Sequence, residues 1–236
     1  MEKSKLPQIV VRKIADRILY EDNHLIIVNK LPSEIVQGDL TGDATLGDAV
    51  KLYLKETYNK PGNVYLGIPH RLDRPTSGIV IFAKTEKALS RLGNIFRERD
   101  IKKIYWAAVD RMPPEAEGEL TNYLLRNRQK NKSFSVSAGK IGAKKAELSY
   151  RLMGATKSFY ILEIELHTGR HHQIRAQLAA LNIHIKGDLK YGAARSNAGG
   201  GIHLHARKIM FNHPVGGKLV EIIAPPPNDP VWSDFR

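Results

Sequence analysis

His70-Arg71-Leu72-Asp73-Arg74-Pro75-Thr76-Ser77-Gly78 runs directly into Ile79-Val80-Ile81-Phe82-Ala83. The second half is an apolar, β-branched run of strand length, the pattern of a strand buried on both faces. Such a strand is a rigid support, so the loop that enters it can hold one side chain in a fixed place. The side chain so placed is Asp73, a carboxylate between two arginines. Arg71 and Arg74 bring positive charge near it, which favours the ionised form and keeps it available as a nucleophile or base at neutral pH. Pro75 biases Arg74 away from helical backbone angles, so the stretch reads as an extended turn. Spacing alone leaves a plainer role open, in which Asp73 only caps the turn through a side-chain-to-backbone hydrogen bond.

The 236 residues, 42% of them hydrophobic, are enough to bury a substantial core as one large domain or two packed lobes. Lysine and arginine number 37 against 24 acidic residues, a formal charge of +13 that points to a polyanionic partner such as RNA or DNA. The same surplus could serve solubility alone. No window is apolar enough to span a membrane, and the opening MEKSKLPQ lacks the apolar core of a secretory signal, so a cytoplasmic protein is expected. The chain has no cysteine, which excludes disulfides and thiolate chemistry. His167 and His171 straddle a glycine and do not fit a helical zinc pair, while His203 and His205 share a strand face without a third ligand in sight. No nucleotide-binding glycine pattern occurs, and no cofactor or metal is expected.

Read in order, residues 1–17 form a flexible N-terminal segment. Ile18 to Tyr20 and His24 to Asn29 form a strand pair turning at Glu21-Asp22-Asn23. Thr45 and Asp48 have the spacing of a capping box that opens a helix with Leu46, Val50, Tyr53 and Leu54 on one face. Val64 to Ile68 reads as a short strand. Thr85 caps a second helix with Leu89, Leu92 and Phe96 inward. Lys102 to Val109 is a strand, Met112 to Gly118 a proline-rich connector, and Arg126 to Lys132 the densest basic cluster, set in a hairpin. That loop could track a phosphate backbone or be an ordinary solvated turn. Glu147 to Met153 and Phe159 to Leu166 pair as strands. They lead to Thr168-Gly169-Arg170-His171-His172-Gln173-Ile174-Arg175, where a glycine turn starts a helix with the core stripe Ile174, Leu178 and Leu181. The last strand runs from Leu219 to Ala224, and residues 225–236 form a tail. There is no internal repeat.

The strings His70 to Gly78, Lys103 with Tyr105, Thr168 to Arg175, Gly187-Asp188 with Tyr191-Gly192, and His203 to Pro214 occur in the order of the motifs of the RluA-type RNA pseudouridine synthases, which the chain resembles from about Ile18 to Ala224. The resemblance implies an α+β pseudouridine synthase fold with a mixed, largely antiparallel central sheet, and one catalytic domain over residues 18–224 without the separate small RNA-binding domain of many relatives. It implies the catalytic residues Asp73, Tyr105 and Arg175, with Arg175 pairing with Asp73 and Tyr105 stacking on the uracil. RNA contacts are expected from Arg71, Arg74, Arg170, His171, Arg126, Arg128 and Lys130. The expected partner is ribosomal or transfer RNA, with no membrane, no obligate protein partner and a monomeric state. Lys30-Leu31-Pro32 departs from the family's Lys-Pro by an inserted leucine. Ala176-Gln177 stands where many members have Val-His, a change expected to touch only the helix surface. A non-catalytic RNA-binding protein on the same fold is the alternative.

Overall fold

The computed structural model describes residues 13–38 and 43–235. The fold divides into two compact units, one ending at Ile101 and resumed over Ile209–Pro225, the other made of Lys102–Lys208 and Pro226 onward.

In the first unit β1 (Ile18–Glu21), β2 (Leu25–Lys30) and β3 (Ser77–Ala83) pair antiparallel in that order. Their side chains alternate between two buried faces, as a strand covered on both sides requires. Leu25, Ile27, Ile79 and Ile81 pack with Leu92 of helix α2 (Glu86–Glu98) and with Phe211 and Val220. Ile26, Val28, Val80 and Phe82 pack instead with Val50 and Leu54 of helix α1 (Leu46–Thr57). The capping box at Thr45 is present, with the Asp48 amide donating to the Thr45 hydroxyl (3.0 Å) and the Thr45 amide to the Asp48 carboxylate (3.2 Å). Thr85 caps α2 through the Ala88 amide. β10 (Leu219–Ile223) pairs with β9 (Leu204–Asn212), whose residues divide between the units after Lys208.

In the second unit the order is β4-β8-β7-β5-β6, from β4 (Ile101–Val109), β5 (Glu117–Asn127), β6 (Lys132–Val136), β7 (Lys144–Ala155) and β8 (Tyr160–Leu166). All four pairings are antiparallel. One face carries Val109, Leu148, Leu162 and Ile164 against Ile174 and Leu178 of helix α3 (Gln173–Ala180). Ala108 and Ile161 on the other face meet Trp232 of the short helix α4 (Pro230–Ser233). The architecture is the expected α+β fold on largely antiparallel sheet pairing.

Several local expectations change. Residues 1–12 of the supposed flexible segment lie outside the described residues, but Ile14 is buried against α1 and the β2–β3 face, and Arg17 is ion-paired with Glu34, so residues 13–17 belong to the first unit. Residues 226–235, the C-terminal tail, pack on the second unit through Trp232. Val64 to Ile68 forms no strand; only Gly67 bridges to Ala83, and a Cβ at Gly67 would come within 2.8 Å of Leu89. α3 stops at Ala180, and Leu181 is 38% exposed, so the core stripe has two members instead of three.

Replacing Phe82 with alanine is expected to lower unfolding stability by about 3–5 kcal/mol through the cavity it leaves. Thr45→Ala should cost only about 1 kcal/mol, the value of a lost cap. Urea denaturation of the two variants checks the ranking.

Candidate active site

In the first unit, the amide of Thr76 donates to the Asp73 carbonyl (3.0 Å), closing a turn over Arg74-Pro75 at the entrance to β3. The turn is held from two sides. The Ser33 amide donates to the Arg74 carbonyl (2.8 Å), and the Ile81 amide donates to His70 Nε2 (2.9 Å). Accepting at Nε2 fixes the His70 ring as the Nδ1–H tautomer, and it stacks on Phe96 at 4.7 Å. Asp73 is therefore carried on a loop bonded to the buried strand. The Thr76 hydroxyl just behind it is buried with no partner among the described residues.

Arg74 turns its guanidinium to Asp43 (3.1 Å) and to the Ser33 carbonyl (3.2 Å), so its charge is already balanced. Arg71 is exposed. The cation that the sequence reading passed over is Lys30. Its side chain is fully buried at the end of β2, and its ammonium donates to the carbonyls of Leu31 (2.9 Å) and Arg74 (3.0 Å). Burial pushes Lys30 down to about 8, opposed by the charges of Glu34 and Asp73. A lysine ending a strand that opens on four apolar residues was the available signal.

In the second unit, the Thr168 to Arg175 string folds on itself. Gln173 Oε1 accepts from the Thr168 hydroxyl (2.7 Å) and the Arg170 amide (2.9 Å), while its Nε2 donates to the Glu147 carbonyl (3.0 Å). A glycine turn was expected to start α3; the residue at its N-cap is His172, in the left-handed region at φ 53°. Arg175 lies inside the helix and is 4% exposed. Its Nε and Nη2 donate to the two oxygens of Asp188, 1% exposed, at 2.6 and 2.7 Å. The Arg175 guanidinium also lies 4.9 Å from the centre of the Tyr191 ring. Asp188 was visible in the sequence only as part of a motif, with no partner assigned.

Tyr191 closes the arrangement. Its oxygen accepts the Ser133 amide (2.8 Å) and lies 3.0 Å from His172 Nδ1. Burial, with Arg175 beside it, pushes His172 down to about 2, so that ring is neutral. Arg170 ties its Nε to the Lys145 carbonyl (2.9 Å). Arg126, Arg128 and Lys130 are exposed at the β5–β6 turn, and His171 bonds to that turn. Tyr105 is half-buried on β4, opposite Ile164. Gln177, expected on the helix surface, has no exposure. Its Nε2 donates to Asn122 Oδ1 (2.9 Å) and to the Leu120 carbonyl (3.0 Å), because this side of α3 faces β5. Among the described residues, no three histidine, cysteine, aspartate or glutamate side chains gather as a metal site.

The family model for RNA pseudouridylate synthases matches residues 24–180. A ribosomal large subunit pseudouridine synthase D of Zymomonas mobilis is 34% identical over 90% of this chain and 69% of its own length. A ribosomal large subunit pseudouridine synthase C of Buchnera aphidicola is 35% identical, covering 90% and 68%. The solved structure of human RNA pseudouridylate synthase domain containing 4 shares the fold, with a TM-score of 0.79 over 98% of this chain and 96% of that one at 22% identity. The chain belongs to the RluA-type RNA pseudouridine synthases, isomerases that modify RNA.

Two outcomes follow from the buried charges. Asp188→Asn takes from the buried Arg175 cation the carboxylate that it is bonded to at two points and should destabilise the protein by about 3–5 kcal/mol, measured by urea denaturation. Lys30 binds its proton less tightly folded than unfolded. Its penalty is therefore complete below about pH 8 and fades as pH rises toward the ordinary lysine range. Unfolding free energy of the wild type should thus rise between pH 8 and 10 relative to Lys30→Met; parallel curves would contradict the burial penalty.

Proposed function

We propose that the protein converts particular uridines of structured RNA to pseudouridine, that large-subunit ribosomal RNA is its substrate, and that Asp73 is the catalytic carboxylate. The observation that carries the reading is the placement of Asp73 on a turn bonded to a fully buried strand, inside the stretch matched by the family model. The substrate assignment draws on the names of the two relatives, both large-subunit enzymes.

The isomerisation breaks the N1–C1′ glycosidic bond, turns the uracil while it stays bound, and joins C5 to C1′. A stacked base is out of reach, so the nucleotide is drawn into the protein at a cost of about a few kcal/mol, which contacts to the RNA offset. Unpaired loops and bulges keep that cost low. Ordinary glycoside hydrolysis needs a second carboxylate to activate water. Here no water is consumed and the departing uracil is the group that returns, so one carboxylate suffices. It either forms a covalent bond to the nucleotide or removes a sugar proton as the glycosidic bond opens. Tyr105 and Arg175 take the roles that the resemblance gives them. The surplus of positive charge supplies attraction to RNA, and the chain acts as a monomer in the cytoplasm.

Release of tritium from RNA labelled at uridine C5 measures the reaction directly. The wild type should release it from large-subunit ribosomal RNA made in cells lacking the gene. Asp73→Asn should still fold, shown by a cooperative unfolding transition, and release none. Turnover by that variant would remove Asp73 from catalysis, and a wild type that binds RNA without release would favour a non-catalytic binding protein.

A further inference from the structure

We propose that the β5–β6 hairpin, together with His171 and Lys190, forms a seat for the RNA phosphate backbone, and that His171 takes up a proton when the seat is filled. The proposal rests on the reading of the chain as an RNA-modifying enzyme and names a surface through which it grips its substrate.

Between Glu119 and Glu147 the chain has seven lysines and arginines and no acidic residue. Among the described residues, Arg126, Arg128, Lys130 and Lys190 pair with no carboxylate; Lys145, at the far end of this stretch, pairs with Glu147. An unbalanced set of cations on one hairpin suits a polyanion, and the turn that carries them is built instead of loose. The Lys130 amide donates to Asn127 Oδ1 (2.9 Å), and the Asn131 amide donates to the Arg128 carbonyl (3.2 Å). Asn131, in the left-handed region at φ 43°, is where the donors meet. Its side-chain oxygen accepts from His171 Nε2 (3.1 Å) and from Arg126 Nη2 (3.5 Å), and its carbonyl accepts from Lys190 Nζ (3.2 Å). Positive groups from the hairpin and from the turn after Asp188 are thus gathered before any ligand arrives, which reduces the ordering cost of binding.

His171 is suited to gain a proton there without moving. Asn131 Oδ1 can only accept, so Nε2 carries a hydrogen in either state. Nδ1 lies 2.9 Å from the Ser133 hydroxyl, which can donate to a bare nitrogen or accept from a protonated one by rotating its O–H. The groups facing the ring come from three elements. Arg126 stands on the hairpin and Lys190 beside Tyr191, both joined to the same Asn131. On the motif itself are Arg170, Arg175, already bound to Asp188, and His172, stacked at 3.8 Å and neutral. A phosphate bound at Arg126, Arg128 and Lys130 brings negative charge beside the ring and favours its protonated form, so RNA binding and proton uptake are linked, and affinity increases as pH falls.

The test is the equilibrium binding of a fluorescently labelled RNA stem-loop to the full chain at several pH values and salt concentrations. For the wild type, Kd should fall several-fold between pH 8 and pH 6, within the limit of about tenfold per unit for one proton. His171→Gln retains an N–H for Asn131 and an oxygen for Ser133 but cannot be charged; its Kd should be distinctly less dependent on pH. Arg128→Gln with Lys130→Gln should make the slope of log Kd against log salt shallower by about 1.4–1.8, as for two lost phosphate contacts. Unfolding transitions confirm that each variant is folded. A pH dependence identical in His171→Gln, or an unchanged salt slope, would overturn the proposal. Tritium release by the wild type judges the enzymatic reading separately. If release occurs and the binding changes do not, the seat is wrong; if the binding changes occur without release, the seat stands and the enzymatic reading falls.

Discussion

The Arg175–Asp188 pair is the constraint to which most of the second unit answers. Removing both charges from water costs several kcal/mol per ion, and only good geometry offsets that. Two short, roughly parallel bonds meet the requirement, and the Tyr191 ring beside the guanidinium adds a further favourable contact. The position of Asp188 is fixed by the residue before it. Gly187 has φ 87°, and a Cβ there would lie 2.3 Å from Asn197 Nδ2, so the chain bends more tightly than any side chain would allow. Tyr191 then passes the restraint to the hairpin through the Ser133 amide. Helix α3, the turn after Asp188 and the base of the β5–β6 hairpin are held by a single set of contacts.

A similar economy operates around Asp73. Lys30 looks wasteful, a fully buried ammonium at the end of a strand, yet it donates to two carbonyls and lies in the field of Glu34 and Asp73. His70 spends its Nε2 on a strand amide and its ring face on Phe96. These groups spend polar capacity on holding a loop, which gives the Asp73 carboxylate a defined location without a helix or strand of its own.

Elements governed by local chemistry were legible in the sequence. β3 announced itself by composition, and α1 by the Thr45–Asp48 spacing, because a buried strand and a capping box are written in consecutive residues. What stayed hidden depended on partners far along the chain. Gln177 follows a helical pattern that says nothing of which strands α3 will meet, and its burial is decided by Leu120 and Asn122 more than fifty residues earlier. Leu181 carries the right spacing but falls beyond the point where α3 ends. The bond from Arg175 to Asp188 was illegible for the same reason, since an arginine in a helix does not reveal every carboxylate it will meet. Arg74 is a further case: its side chain reaches Asp43, a partner that its nearness in sequence to Asp73 does not reveal.

The motif from Thr168 to Arg175 divides its polar side chains among separate tasks. Thr168 and Gln173 bond to each other and to β7, holding the turn; Arg175 neutralises Asp188; His172 accepts a left-handed backbone that costs a non-glycine residue on the order of 1 kcal/mol or more. That cost is offset by burial of its ring and by its contact with Tyr191. His171 is the member whose two ring nitrogens both point to the hairpin instead of to the motif's own frame. A residue at this position can therefore change the hairpin's electrostatics while the frame around Arg175 keeps its bonds.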